Sequence, residues 1–218
     1  MDFNLARKNM VESQIRPNHV TDIKVIDAFS KIPREKFLPN SLLSIAYIDD
    51  EIQIVRNRSM MKPMILARFY QEMKLSKDDT VLHIGSNFGY GSAVLSQLCK
   101  AVISLEGDKK LFEKSSESLL SLGIDNVFPL HGNMEEGFDE EAPFDIIFIE
   151  GAIEKIPEPL FNQLSLNGKL ATIMKPKNNI IGKGYIFKKL DLGIDEREIF
   201  DANSIKLPIF KSKSNFIF

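Results

Sequence analysis

From Thr80 onward, short unbroken apolar runs alternate with longer segments of helical periodicity, and few folds accommodate that order. The runs are Thr80–Ile84, Ala101–Leu105, Val127–Leu130, Phe144–Ile149 and Leu170–Met174. Lacking polar alternation, they suit strands covered on both faces. The segments between them, Tyr90–Leu98, Lys109–Leu122 and Pro157–Leu164, are long enough to be crossover helices. The expected fold class is therefore α/β, a mainly parallel sheet with helices on both faces, binding its ligand at the carboxyl ends of the strands.

Ahead of this pattern, Val25, Phe29 and Ile32 fall at helical spacing in Asp22–Ile32, which Pro33 stops. Pro63 suits the first turn of a second helix through Leu66, Ala67, Phe69, Tyr70 and Met73, ended by the polar turn Ser76–Asp79. Residues 1–75 thus read as an N-terminal helical elaboration and 76–218 as the core, within a single domain spanning 1–218. Tyr185–Leu190 and Phe216–Phe218 are expected to add an antiparallel edge, joined by a polar stretch.

Charge narrows the partners. Lys plus Arg (28) nearly cancels Asp plus Glu (30), so no net field draws the chain to nucleic acid or an anionic membrane. The single cysteine, Cys99, has no intramolecular partner, which fits a reducing compartment. Met1–Arg16 lacks a signal-peptide core and no run approaches the ~20 apolar residues of a membrane span, so a cytoplasmic location is expected. His19, His83 and His131 have no neighbours at metal-ligand spacing, and no metal is expected.

The first of these strands runs into Gly85-Ser86-Asn87-Phe88-Gly89, where glycines permit a sharp turn into a helix and close approach of a ligand. This is not the dinucleotide fingerprint, because the Gly-x-Gly-x-x-Gly spacing is absent. Glu106, about twenty residues on at the end of the next strand, is placed to accept hydrogen bonds from both hydroxyls of an adenosine ribose.

These residues resemble a known family. Val81-Leu82-His83-Ile84-Gly85-Ser86-Asn87-Phe88-Gly89-Tyr90 lies over the pattern Val-Leu-Glu-Ile-Gly-Thr-Gly-Ser-Gly-Tyr of the protein-L-isoaspartate O-methyltransferases. In the same order, Ile32–Pro39 resembles Val-Pro-Arg-Glu-x-Phe-Val-Pro, Ala46-Tyr47-x-Asp49 resembles Ala-Tyr-x-Asp, and Ala142–Ile147 resembles Ala-Pro-Phe-Asp-x-Ile. Ile156–Gly168 carries the Ile-Pro-x-x-Leu-x-x-Gln-Leu block, so the resemblance covers roughly residues 10–174. It implies a class I S-adenosylmethionine-dependent methyltransferase with a Rossmann-like fold. The implied reaction esterifies isoaspartyl or D-aspartyl carboxylates of damaged proteins for repair and releases S-adenosylhomocysteine. The tail looks like a shorter bacterial branch.

The resemblance implies cofactor contacts at Gly85, Ser86, Asn87, Gly89, Glu106, Gly132 and Asn133. Four positions depart from the family pattern: Asn87 for the middle glycine, His83 for a strand acid, Asn133 for the aspartate facing adenine, and Met61 for the serine usually assigned to catalysis. Asn tolerates positive φ, Asn133 keeps an acceptor oxygen, and Ser59 is the remaining hydroxyl for catalysis. His83 reads equally as a buried strand histidine with a satisfied ring. Two alternatives stay open: a diverged member acting as a binding or regulatory module, and a methyltransferase whose acceptor differs because Met60, Met61 and Lys62 reshape the entrance. The sequence leaves the oligomeric state undetermined.

Overall fold

The structure, a computed structural model, describes residues 1–177, 179–207 and 210. The chain opens with α1 (Phe3–Met10), which runs on through a wider turn at Val11–Ile15. Asp22 caps α2 (Ile23–Lys31) by accepting the Lys24 N–H at 2.9 Å. A hairpin follows, β1 (Ile52–Val55) and β2 (Arg58–Met60), which the sequence reading did not anticipate. Asn57, at φ 63, makes its turn. α3 (Pro63–Met73) starts on proline, which gives up no helical hydrogen bond there.

The core then alternates as expected: β3 (Thr80–Ile84), α4 (Tyr90–Ser96), β4 (Ala101–Glu106), α5 (Lys109–Ser121), β5 (Val127–His131), β6 (Phe144–Ile153), α6 (Glu158–Asn162) and β7 (Leu164–Met174). The sheet ends with β8 (Lys183–Leu190) and β9 (Gly193–Asp201). Among the described residues its seven strands lie in the order β5-β4-β3-β6-β7-β8-β9, parallel as far as β7 and antiparallel for the last two pairings. β8 meets the expected edge. β9 occupies the stretch read as a polar connection, and Phe216–Phe218 lie outside the described residues.

The unbroken apolar runs have their reason in the two layers. Val81 faces a cluster with the N-terminal helices, including Phe29, Phe69 and Tyr70, while Leu82 and Ile84 face a second with Leu105, Ile147 and Ile149. The strand has no wet face. After β3 the chain works outward to β5 and then returns to β6 on the other side of β3, which makes the β3–β6 boundary the switch point where such sheets bind ligands.

Arg34 fastens the N-terminal layer. Fully buried, it donates to the carbonyls of Ala46 (2.9 Å) and Met61 (3.0 Å) and lies over the Tyr90 ring. Burial pulls its guanidinium below the usual arginine range, opposed by the nearby tyrosines and Glu150. Among the described residues, no helix is long and apolar enough to cross a membrane.

Candidate functional site

The loop after β3 lies at the switch point. Gly85 (φ 78) and Gly89 (φ 92) take conformations that side chains rarely adopt, and Asn87 joins them at φ 53. The Gly85 N–H donates to the Leu105 carbonyl (2.9 Å) and the Gly89 N–H to that of Ser86 (2.8 Å), which fixes the turn against β4. Asn87 is buried, and its side-chain amide donates to the carbonyls of Ser59 and Gly85, each at 3.1 Å. The residue replacing the family glycine therefore ties the loop to β2.

Glu106 stands at the carboxyl end of β4, wholly buried, with its carboxylate fully engaged. Oε1 accepts from Arg58 Nη1 (2.6 Å) and the Asp108 N–H (3.0 Å). Oε2 accepts from Arg58 Nη2 (2.5 Å) and the Asn87 N–H (2.9 Å). The Arg58 side chain is 9% exposed and that of Glu106 1%. Arg58 escaped the sequence reading, since an arginine at a hairpin turn passes for a surface charge; only the fold brings residues 58 and 106 together.

His83 belongs to a buried chain of polar groups. Its Nδ1 is 2.7 Å from Ser92 Oγ, which is 2.8 Å from Ser104 Oγ, and its Nε2 lies 3.0 Å from Glu150 Oε2. The ring also stacks on Phe148. His83 is thus buried in its strand, as read from the sequence, with Nδ1 hydrogen-bonded, while Nε2 and Glu150 Oε2 lie in contact without a hydrogen bond among the described residues. Among the described residues, no group of three His, Cys, Asp or Glu side chains is arranged to hold a metal.

Ser59 is buried in β2 beside Glu51. Burial raises the Glu51 carboxyl above the usual range, partly offset by the hydroxyls of Ser204 and Ser59 and by the Ile205 N–H, 3.2 Å from Oε2. Glu51 borders an open cleft of about 500 Å³ that also takes in Asp50, Lys62, Lys175, Ser204 and Lys206. Met60 and Met61 are each 1% exposed and pack into the core, so of the three residues expected to reshape the entrance only Lys62 reaches the cleft. Above the loop, Leu207 packs against Gly85 and Gly151, held there by backbone bonds between Ala152 and residues 205 and 207.

Gly132 follows β5 and donates its N–H to the Glu106 carbonyl (3.1 Å). Asn133 is exposed beside it, its side-chain oxygen accepting the Glu135 N–H at 3.0 Å. The structure thus gathers Ser59, Gly85, Ser86, Asn87, Gly89 and Glu106 around one loop, with Gly132 bonded to the Glu106 backbone, while the Asn133 side chain turns to its own loop.

Residues 5–187 match the family model of protein-L-isoaspartate(D-aspartate) O-methyltransferase. A protein-L-isoaspartate O-methyltransferase 2 of Anaeromyxobacter sp. (strain Fw109-5) is 36% identical over 174 residues, 80% of this chain and 72% of that one. A protein-L-isoaspartate O-methyltransferase of Methanoculleus marisnigri is 33% identical over 171 residues, 78% of each. Among solved structures, a protein-L-isoaspartate O-methyltransferase superposes with TM-score 0.83 at 28% identity, covering 92% of this chain and 65% of that one. A Plasmodium falciparum chain described as a beta-aspartate methyltransferase, in complex with S-adenosyl-L-homocysteine, shares the fold with TM-score 0.77 at 23% identity, covering 95% of this chain and 98% of that one.

Proposed function

This chain belongs to the protein-L-isoaspartate(D-aspartate) O-methyltransferase family, and from that membership we propose that it is an S-adenosylmethionine-dependent methyltransferase that esterifies isoaspartyl or D-aspartyl carboxylates of damaged proteins. The carrying observation is the site at the β3–β6 switch point, a glycine loop at positive φ beside a buried acid that ends the neighbouring strand. Residue types and positions fit an adenosine nucleoside, with one obstruction, Arg58 on the acid.

S-adenosylmethionine, when bound, would supply an activated methyl group. The chain's residues do the rest by holding and aligning. Gly85, Ser86, Asn87 and Gly89 would shape the backbone against the donor, Glu106 would accept from the ribose hydroxyls once Arg58 is displaced, and Gly132 and Asn133 would border the base. An acceptor carboxylate with a reference pKa of about 3.9 is ionised at neutral pH and needs no base, so orientation carries the rate. The lysines at 62, 175 and 206 give the cleft a positive rim for that carboxylate, although each already has a polar partner in Asp50, Asn203 and Glu154 respectively. Ser59 would orient the acceptor. The near balance of charge and the lone cysteine are compatible with a cytoplasmic location.

The test is methyl transfer from labelled S-adenosylmethionine to a peptide with one isoaspartyl residue and to its aspartyl twin. Base-labile label on the isoaspartyl peptide alone is expected. A protein that binds S-adenosylhomocysteine yet labels neither peptide would sink the acceptor assignment.

A further inference from the structure

We propose that Arg58 is a latch, its guanidinium seated where the cofactor's ribose must bind, so that cofactor entry requires the β1–β2 hairpin to let go. The inference rests on the cofactor reading above and follows from counting donors. A carboxylate offers about four acceptor positions, two on each oxygen. All four on Glu106 are taken, by two Arg58 nitrogens and the backbone N–H groups of Asn87 and Asp108. A vicinal diol brings two further donors, so two must leave.

Only one pair can. The Asn87 N–H belongs to the glycine loop, and Asp108 is the residue whose side chain caps α5 through Lys110 and Leu111. Arg58, by contrast, lies on a three-residue strand of a two-stranded sheet, reaching in from outside the seven-stranded sheet. Among the described residues its third nitrogen, Nε, is buried with no hydrogen-bond partner, so the hydrogen bonds that hold the guanidinium are the pair that the diol would replace.

Two further contacts close the same door. The Asn87 amide holds the Ser59 carbonyl, fastening β2 to the loop next to Arg58. Leu207 lies against Gly85, and Arg58 Nη2 is 3.8 Å from where a Gly85 side chain would begin, so both crowd the backbone that a ligand should approach. The device is assembled from residues 58, 87 and 207, none of them a glycine-loop or ribose-acid position in its own right except Asn87, which departs from the family glycine.

The experiment is calorimetric titration of S-adenosylhomocysteine into the wild type and Arg58→Met, which keeps an apolar stem and removes both competing donors. At least tenfold tighter binding by Arg58→Met is expected. Equal, measurable affinity, or weaker binding by a variant with wild-type circular dichroism, overturns the latch and leaves the cofactor reading standing. Binding by neither protein overturns both. Should Arg58→Met fail to fold, amide hydrogen exchange on the wild type decides: ligand is expected to raise exchange at Arg58–Met60, and unchanged or lowered exchange overturns the latch.

Discussion

A methyl group added at Gly91 would run into Glu150 Oε2, with His83 Cε1 at 2.9 Å and Tyr70 Oη at 3.0 Å. The buried histidine and glutamate thus fit beside α4 only because the helix offers no side chain at that point. Gly91→Ala is expected to cost about 1–3 kcal/mol through overpacking, read from the urea unfolding midpoint. A change under about 0.5 kcal/mol would show that the pair relaxes freely. His83 itself was legible as a buried strand residue, because its neighbours in the run are apolar. Its partner was not, since Glu150 closes the apolar stretch of β6 and, read alone, looks like a surface acid at a strand end. Arg58 and Glu106 went unpaired in the sequence for the same reason: the attraction acts through space across 48 residues.

Among the elements, the β1–β2 hairpin depends on a carboxyl group under strain from burial. Glu51 holds the Ile205 N–H and so joins the hairpin to the segment after β9. Its raised carboxyl fixes the sign of a pH effect. Below the unfolded pKa both states keep the proton and nothing is lost. As pH rises through that value the unfolded chain ionises first, and stability falls until the folded pKa is passed. Glu51→Gln should therefore gain in melting temperature over the wild type as pH goes from about 4 to about 7. A constant difference would assign no titration to Glu51. β3, β4 and β5 were legible to within a residue, because burial on both faces writes an unbroken apolar run. The hairpin was not, since β1 alternates in burial over only four residues and β2 holds just three. α6 is shorter than expected at Glu158–Asn162, and β7 starts early, at Leu164.

Over the whole molecule, Cys99 reports on opening. Burial pushes its thiol up to about 12, and its Sγ lies 3.1 Å from the Leu95 carbonyl, so the nucleophilic thiolate is scarce in the native state. Labelling by Ellman's reagent is expected to await global unfolding and to follow the denaturant dependence of that step. Rapid labelling in buffer would place Cys99 in a region that opens locally.

The last strand, β9, was hidden from the sequence reading by Asp195, Glu196, Arg197 and Glu198, which are exposed. Those charges lie along one rim of the sheet, and the opposite rim, β5, contains Pro129, which has no N–H to offer. A second chain aligning itself with either rim would have to bury exposed charge on one side or face a missing donor on the other. The polarity that disguised the strand is thus what keeps the open ends of the sheet from templating aggregation.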